Sequence, residues 1–357
     1  CYYFSVNQNR YKFSLQVNLN KYKADRMASI QSAQVTERVQ EEVRAVFAQG
    51  AGLERIYFPS RSNEVPDRAS LALVVLDPER SMADQTRVTE FVDSVTKEHG
   101  TSARQFKSGI IWAVPDSNSA LTKEAIDLLA WEAIDSEKAT LRLTDDQNSS
   151  LTTNVAKAKR DLRESVWRNY KYVMLLGNDN QMRTVDMGLI HSSAAPDITT
   201  LILNRLRSDG DIEQSISPNF LIRNWPPAFQ EWSTRAVRDA FFASPQFPRL
   251  LNADAIQETI SKGVTEGLLA YVGKMEEGGY EPFVFERPLA ASEVEISSQT
   301  FIITAEEAKK HIEPPHLTTI SVIPDAVSVK PGAIQTFVAK GSDQHGNGIP
   351  VGNLEWE

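Results

Sequence analysis

The stretch LALVVLDPE, from Leu71 to Glu79, places six consecutive apolar residues before an acidic turn that contains proline. A short apolar run that ends at a turn is typical of a strand buried on both faces, as strands of parallel sheets are. The stretches RIYFP (Arg55–Pro59), GIIWAVPD (Gly109–Asp116) and KYVMLL (Lys171–Leu176) have the same character. Together they predict a sheet that is covered on both sides.

Helical patterns occupy the segments between these runs. Apolar residues recur at mostly helical intervals from Met27 to Phe47, and residues 85–99, 119–134 and 150–170 have the composition of further helices. Strands that alternate with helices favour an α/β fold with a mostly parallel sheet. We assign residues 1–215 to this α/β domain.

Residues 216–312 predict a second unit. One helix is capped by Ser233, a second runs from about Ala253 to Lys262, and a strand, a turn and a strand follow between Gly267 and Glu286. Helix, break, helix and hairpin is the order of a winged helix-turn-helix. The sequence therefore predicts a winged-helix-like module here.

The last segment, residues 313–357, alternates polar and apolar residues around Pro-Gly and Gly-Asn-Gly turns after a proline-containing linker. This pattern is typical of an immunoglobulin-like β-sandwich, which takes about 100 residues. We therefore expect an incomplete sandwich. The chain opens on CYYFSVNQN without a methionine and closes on GNLEWE within an apparent strand, so we expect a piece of a longer protein.

Composition limits the classes of function. No stretch reaches the roughly 18 consecutive apolar residues of a membrane helix, so we expect no membrane partner. Cys1 is the only cysteine, which excludes disulfide scaffolds and cysteine-ligated zinc and favours a cytoplasmic location. A net charge of −9 argues against broad nucleic-acid binding but leaves room for a local basic face.

Motifs for nucleotide chemistry are sparse. A phosphate-binding P-loop needs Gly-Lys followed by Ser or Thr, but Gly273–Lys274 is followed by Met275. LVVLDPE resembles a Walker-B strand, in which a carboxylate such as Asp77 would hold magnesium. The alternative is a buried strand that leaves through a turn with surface acids, and the absence of a P-loop upstream in this sequence favours it. We interpret HSS (His191–Ser193) as a helix cap or turn rather than a nucleophile site.

A cluster of cations is the candidate nucleic-acid-binding site. It combines six positive side chains with two negative ones, Asp161 and Glu164, over fifteen residues: Lys157, Lys159, Arg160, Arg163, Arg168 and Lys171. Such a face could contact DNA phosphates, although a helix of this kind is more often simply a solvated surface.

The predicted winged-helix-like module is a weaker DNA reader. Its second helix and its turn are each net negative, so their charge opposes contact with phosphates. The residues concerned are Asp254 and Glu258 against Lys262, and Glu276 and Glu277 against Lys274. DNA is thus a possible but weak partner of this chain.

Aromatic residues are concentrated between Asn219 and Leu251, in NFLIRNWPPAFQEWSTRAVRDAFFASPQFPRLL. The run is either a platform on which bases or a substrate stack, or the seam between two packed domains. A stacking platform needs a positive groove, and few cations are interleaved here. We therefore prefer the seam, which predicts that Trp225 and Trp232 are largely buried.

The segment RNWPPAFQEWSTRAVRDAFFASPQFPRLLNADAIQETISKGVTEGLLAYVGK (Arg223–Lys274) carries a resemblance, together with NLNKYKADR (Asn18–Arg26), LLAWEAI, VWRNYKYVMLL and GLIHSSA. These stretches resemble the C-terminal region of the AAA-type ATPases of domain-of-unknown-function family 499, over Tyr2 to about His311. That family is associated with DNA methyltransferases and phage defence.

The resemblance implies ATP-driven work in a DNA-modification or phage-defence complex, with protein partners that include a DNA methyltransferase. It places residues 1–215 in the C-terminal part of an ATPase region. It also implies that the full-length protein binds ATP and magnesium through motifs upstream of Cys1, so no cofactor and no catalytic residue is assigned within this chain. Arg26 lies where an AAA module can place a nucleotide-sensing cation, and we mark it as the candidate cofactor-binding residue.

Three hypotheses follow. The first is a non-catalytic coupling and partner-binding portion of an AAA-type ATPase. The alternative is a winged-helix DNA-binding regulator, and the third is a stand-alone hydrolase. The first predicts that the chain alone neither binds nor hydrolyses ATP.

Overall fold

A computed structural model describes residues 4–7, 10–13, 18–50, 52–276, 279–312, 316–343, 346 and 348–352. Cys1, Glu277 and the last strand expected for the immunoglobulin-like segment, at residues 353–357, lie outside the described residues. In chain order the elements of the first part are β1 (Phe4–Asn7), β2 (Arg10–Phe13), α1 (Leu19–Ser29), α2 (Ser32–Phe47), β3 (Glu54–Tyr57), β4 (Ala72–Val75), α3 (Gln85–Lys97), β5 (Glu98–His99), β6 (Ser102–Ala103), β7 (Ile110–Val114), α4 (Asn118–Leu141), α5 (Asp145–Asn169), β8 (Tyr172–Leu176) and β9 (Met182–Asp186).

The first part is a three-layer α/β fold, as the sequence predicts. Its sheet has the strand order β3-β4-β7-β8-β9. Alternate residues of β7 point to opposite faces: Ile111 and Ala113 pack with α2, α4 and α5, whereas Trp112 and Val114 pack with α3. Every residue of β4 and β7 is buried, which explains their continuous apolar sequence.

The expectation of a mostly parallel sheet is confirmed only in part, because the sheet is mixed. β3, β4 and β7 are parallel, but β8 runs antiparallel to β7, and β9 runs antiparallel to β8. The reason lies between β7 and β8, where two long helices replace the single helix of a parallel crossover. α4 ends at Arg142, which has the left-handed conformation, and α5 begins after its cap Thr144. The two helices run in opposite directions, so the chain returns to the end of the sheet at which β7 ended and β8 runs antiparallel to β7.

The second part has, in chain order, α6 (Ile198–Ser208), β10 (Ile212–Glu213), α7 (Pro218–Arg223), β11 (Glu231–Ser233), α8 (Thr234–Ala243), β12 (Arg249–Leu250), α9 (Ala255–Thr265), β13 (Leu269–Lys274), β14 (Tyr280–Val284), β15 (Thr300–Thr304) and α10 (Ala305–His311). The hydroxyl of Ser233 accepts from the Ala236 amide and caps α8, as predicted. β13 and β14 form the predicted hairpin. They belong to a four-stranded antiparallel sheet of order β11-β15-β13-β14, and β10 pairs with β12 in parallel.

One hydrophobic core runs through both parts. It joins Leu73 and Ile111 of the first sheet to Phe241 and Phe242 of α8 and to Ile302 of β15. Helix α8 lies against the turn that precedes β7, and the second part therefore packs directly on the first.

The last described segment contains β16 (Leu317–Ile323), β17 (Val338–Asp343) and β18 (Gly348–Ile349). These strands form one three-stranded antiparallel sheet. Several of its large apolar side chains are exposed, among them Ile320, Ile323 and Val338. Its strand content agrees with the sequence, and the immunoglobulin-like sandwich stays a prediction.

Candidate functional site

The aromatic run contributes Trp232, Phe241 and Phe242 to the core that the two parts share. Trp232 is 2% exposed, and Trp225, half-buried, meets it edge to face with ring centroids 5.6 Å apart. The indole nitrogen of Trp225 donates to the Phe229 carbonyl at 2.8 Å, while the Phe229 ring is 49% exposed. Trp232 thus matches the seam interpretation in full, and Trp225 matches it in part.

A second group of rings extends this seam. Phe241 lies 5.0 Å from Phe247 and 5.9 Å from Phe220 between ring centroids. Phe241 is completely buried, whereas Phe220 and Phe247 keep part of their surface open. The two open rings form one wall of a cleft of about 840 Å³ between α7, β10, β12 and the turn after β8.

Arg249, on β12, lines this cleft although it is only 3% exposed. Its Nη2 donates to the carbonyl of Leu176 at the end of β8, at 2.5 Å, and its Nε has no hydrogen-bond partner among the described residues. Burial lowers the pKa of Arg249 to about 10, against the opposing effect of Asp211. The guanidinium therefore remains charged at neutral pH.

The carboxylates near Arg249 are engaged elsewhere. Asp211 forms an ion pair with Arg183, and Asp209 pairs with Arg205 at 2.9 Å. An Arg between Pro248 and two leucines is an unusual place for a charge, and this is the signal by which the sequence could have pointed to Arg249. Arg249 is not among the candidate residues predicted from the sequence.

The structure divides the six predicted DNA-binding cations into two sets. Lys159 lies 3.5 Å from Glu132, Arg163 lies 3.0 Å from Glu42, and Lys171, beyond α5, lies 3.3 Å from Asp116. The other three are exposed on α5, at spacings that place them on one stripe of the helix: Lys157, Arg160 and Arg168. In the described part of the chain these three take part in no ion pair.

Arg26 lies on α1 and is tied to α4. Its Nη2 is 2.7 Å from a carboxylate oxygen of Glu137 and 2.7 Å from the hydroxyl of Tyr22, which also donates to Glu137. The hydrogen bond with Tyr22 is the main cause that raises the pKa of Arg26, with Glu137 adding to it. Arg26 thus joins two helices of the first part.

Asp77, the carboxylate of the Walker-B-like stretch, is held by internal hydrogen bonds. One oxygen accepts from the amide of Glu79, and the other accepts from the side chain of Gln40, each at 2.8 Å. The adjacent cavity holds about 10 Å³, roughly the space of one water molecule. This geometry agrees with the interpretation of a strand that leaves through a turn.

The hairpin of the second part makes its polar contacts within the protein. Lys274 of β13 lies 2.9 Å from Glu231 of β11, and the hydroxyl of Tyr280 donates to the same carboxylate at 2.7 Å. Desolvation alone would raise the pKa of Glu231, but the bonds from Lys274 and Tyr280 outweigh it and lower this pKa. Lys274, the cation of the predicted wing, is therefore already paired with a carboxylate of a neighbouring strand.

The chain was compared with protein-family models, with curated proteins and with solved structures, and none of the three comparisons gave a match. Within the described residues, no helix has both the length and the apolar composition to cross a membrane. The same residues contain no cluster of three or more His, Cys, Asp or Glu placed to hold a metal ion.

Proposed function

We propose that this chain is a coupling and partner-binding part of a large AAA-type ATPase that works in a DNA-modification or phage-defence complex in the cytoplasm. In such a protein ATP and magnesium bind to the nucleotide module, and this chain supplies contacts. The resemblance of the stretches between Asn18 and Lys274 motivates the proposal.

The observation that carries the proposal is the continuous core between the two parts. A domain that transmits a conformational change has to move as a rigid body, because independent motion of its two parts would absorb the displacement. Helix α8 contributes Phe241 and Phe242 to the core that contains Leu73 and Ile111 of the sheet. Because this core is closely packed, a displacement of one part would also displace the other.

We interpret the second part as a winged-helix-like module that contacts protein. Helix α7 and strand β11 are followed by helix α8, the short strand β12, helix α9 and antiparallel strands, and this order supports the assignment. Asp254 and Glu258 at the start of α9 oppose phosphate, and Lys274 is already paired with Glu231. A DNA methyltransferase is the partner that the resemblance favours.

Arg26 is proposed as a sensor that responds to nucleotide through α1. Its ion pair with Glu137 supports a switch in which the guanidinium leaves this carboxylate for a phosphate of a neighbouring module. In a longer protein that contains the nucleotide module, Glu137→Gln would release Arg26 and change the ATPase rate. An unchanged rate in this variant would remove the sensor role.

The exposed stripe of α5 supports a second candidate, a winged-helix DNA-binding regulator. Lys157, Arg160 and Arg168 present positive charge without an ion-pair partner in the described part of the chain, and a DNA backbone is a suitable partner for such a stripe. The stripe is short and stands next to Glu164, so we rank this candidate below the coupling role.

Two binding measurements separate the candidates. Fluorescence anisotropy with a labelled DNA duplex of about 30 base pairs, at about 50 and 200 mM salt, tests the regulator hypothesis. The coupling role predicts weak DNA binding that is lost at the higher salt. Binding of the purified chain to a DNA methyltransferase encoded beside its gene tests the coupling role. Tight DNA binding at 200 mM salt together with no methyltransferase binding would reverse the ranking.

A further inference from the structure

Arg249 differs from Arg104, the other arginine that is buried among the described residues. Arg104 is 4% exposed, and all three nitrogens of its guanidinium donate to backbone carbonyls, at distances between 2.9 and 3.1 Å. Arg249 is 3% exposed, and within the described residues only its Nη2 has a hydrogen-bond partner. A buried charge with unsatisfied donors is costly unless a partner of opposite charge completes it.

Within the described residues Arg249 has no ion-pair partner. Among the described residues no carboxylate oxygen lies within 4.0 Å of its guanidinium, since the nearby Asp211 is paired with Arg183. Arg223 lines the same cleft from the end of α7, is exposed, and has no ion pair within the described residues. Three arginines and three carboxylates line the cleft, but Asp211 is paired with Arg183 and Asp209 with Arg205. Within the described residues Arg223, Arg249 and Glu213 are therefore the lining charges that form no ion pair.

The cleft also offers an apolar surface beside the charge. Phe220 and Phe247 keep part of their rings open to it, and the amide side chain of Gln246 lines it as well. Guanidinium groups bind oxyanions with two parallel hydrogen bonds, and aromatic rings pack against flat apolar groups. The volume of about 840 Å³ is in the range of small-molecule sites.

We infer that this cleft binds a small organic oxyanion, a phosphate monoester or a carboxylate, with its charged group on Arg249 and Arg223 and its apolar part on the two phenylalanine rings. The site lies between the two parts of the chain, because β12 and α7 belong to the second part and the turn after β8 to the first. This inference does not depend on the ATPase role.

Titration calorimetry with the whole chain at low salt tests the inference, with phenyl phosphate, benzoate and inorganic phosphate as probes. We expect saturable binding of phenyl phosphate or benzoate that is tighter than that of inorganic phosphate, which lacks the ring. Tighter binding of phenyl phosphate than of benzoate assigns a phosphate ligand, and the reverse order assigns a carboxylate. Binding should weaken as sodium chloride is raised.

Variants locate the bound anion. Arg223→Glu should weaken binding at least tenfold, and Arg249→Lys, which keeps the charge but loses the planar fork, should weaken it about tenfold. Arg87→Ala, on α3 at the far side of the first sheet, is the control and should bind as the parent does. If Arg249→Lys fails to fold, the exposed Arg223→Glu still decides. Absence of saturable binding for all three probes, or equal affinity in parent and Arg223→Glu, overturns the inference.

Discussion

Trp232 and Trp225 show how the aromatic run is used. Trp232 belongs to the core that the two parts share, and the half-buried Trp225 meets its ring edge to face. Because the open surface of the pair is small, the two rings contribute to stability through burial rather than through a ligand.

We expect Trp232→Ala to lower the free energy of unfolding by about 3–5 kcal/mol, the usual cost of removing a buried Trp. Trp225→Ala should cost less, because its ring is half-buried. Phe229→Ala is the matched control; its ring is 49% exposed, and the change should lie within about 0.5 kcal/mol of the parent. Urea unfolding measures all three, and a Trp232→Ala chain as stable as Phe229→Ala would favour the binding platform.

Gly109 occupies the contact between the two parts. A Cβ added there would lie 2.6 Å from the carbonyl oxygen of Ser70 and 3.5 Å from the ring of Phe242. The first distance is to backbone, which cannot move aside cheaply.

Gly109→Ala should therefore destabilise the protein by about 1–3 kcal/mol, the usual range for an overpacked site. Gly348→Ala is the control, because a Cβ there meets none of the described residues within 4 Å and the backbone has no positive φ. Differential scanning calorimetry should show a lower melting temperature for the first variant only. Equal melting temperatures would mean that the contact at Gly109 relaxes freely.

The strands β11, β13 and β14 are linked by Glu231, which accepts from Lys274 and Tyr280. These bonds outweigh desolvation and lower the pKa of Glu231. Burial and the bond to Glu231 raise the pKa of Tyr280 to about 12. The carboxylate and the protonated phenol are thus the forms that the folded state favours.

A depressed carboxyl pKa stabilises the fold above the unfolded pKa, about 4.3 for Glu, and this stability is lost as pH falls through the lower, folded pKa. Glu231→Gln should therefore be less stable than the parent at pH 7, and the difference should shrink as the pH is lowered below about 4. Lys138→Ala, whose partner Asp135 lies 3.0 Å away on α4, is an ion-pair control outside this network. A difference that stays constant from pH 7 to pH 3 would contradict the assignment.

Helix α5 presents its cations on two sides. Lys159 and Arg163 lie near acids of α4 and α2, so they hold helices together, and the stripe of Lys157, Arg160 and Arg168 faces solvent.

Any DNA binding should follow the stripe. Reversal of its three cations to Glu should abolish DNA binding in the anisotropy assay and leave the fold intact, because these side chains are exposed. Lys159→Glu with Arg163→Glu should instead lower stability, since each change places two acids together. Lys274→Glu should leave DNA affinity nearly unchanged; if this change alone removes binding, the regulator hypothesis is the better one.

For the molecule as a whole, the shared core predicts cooperative unfolding of the first two parts. Amide hydrogens of β4 and β7 should exchange with the same opening free energy as those of β13 and β15, whereas β16–β18, with many exposed side chains, should exchange earlier. Hydrogen exchange read by mass spectrometry measures this. Gly109→Ala should lower the protection of both core sheets together, and early exchange of β13 and β15 alone would show that the parts open independently.

The elements that rest on local patterns were predictable. The apolar runs of β4, β7 and β8 predict buried strands, Ser233 predicts the start of α8, and the apolar repeat after Ala253 predicts α9. In each case the cause lies within a few residues, since burial periodicity and capping are short-range properties.

Contacts between distant residues decide three other features: the direction of β8, the formation of strands β11 and β15, and the cleft around Arg249. β8 is antiparallel because two helices precede it, and β11 is a three-residue strand whose partner β15 lies about 70 residues away. Arg249 becomes a candidate ligand-binding residue only because the fold buries it beside Leu176 while Arg183 occupies Asp211. The local amino-acid sequence specifies which segments become strands and helices. Only the tertiary packing of those segments decides which carboxylates form ion pairs with which arginines.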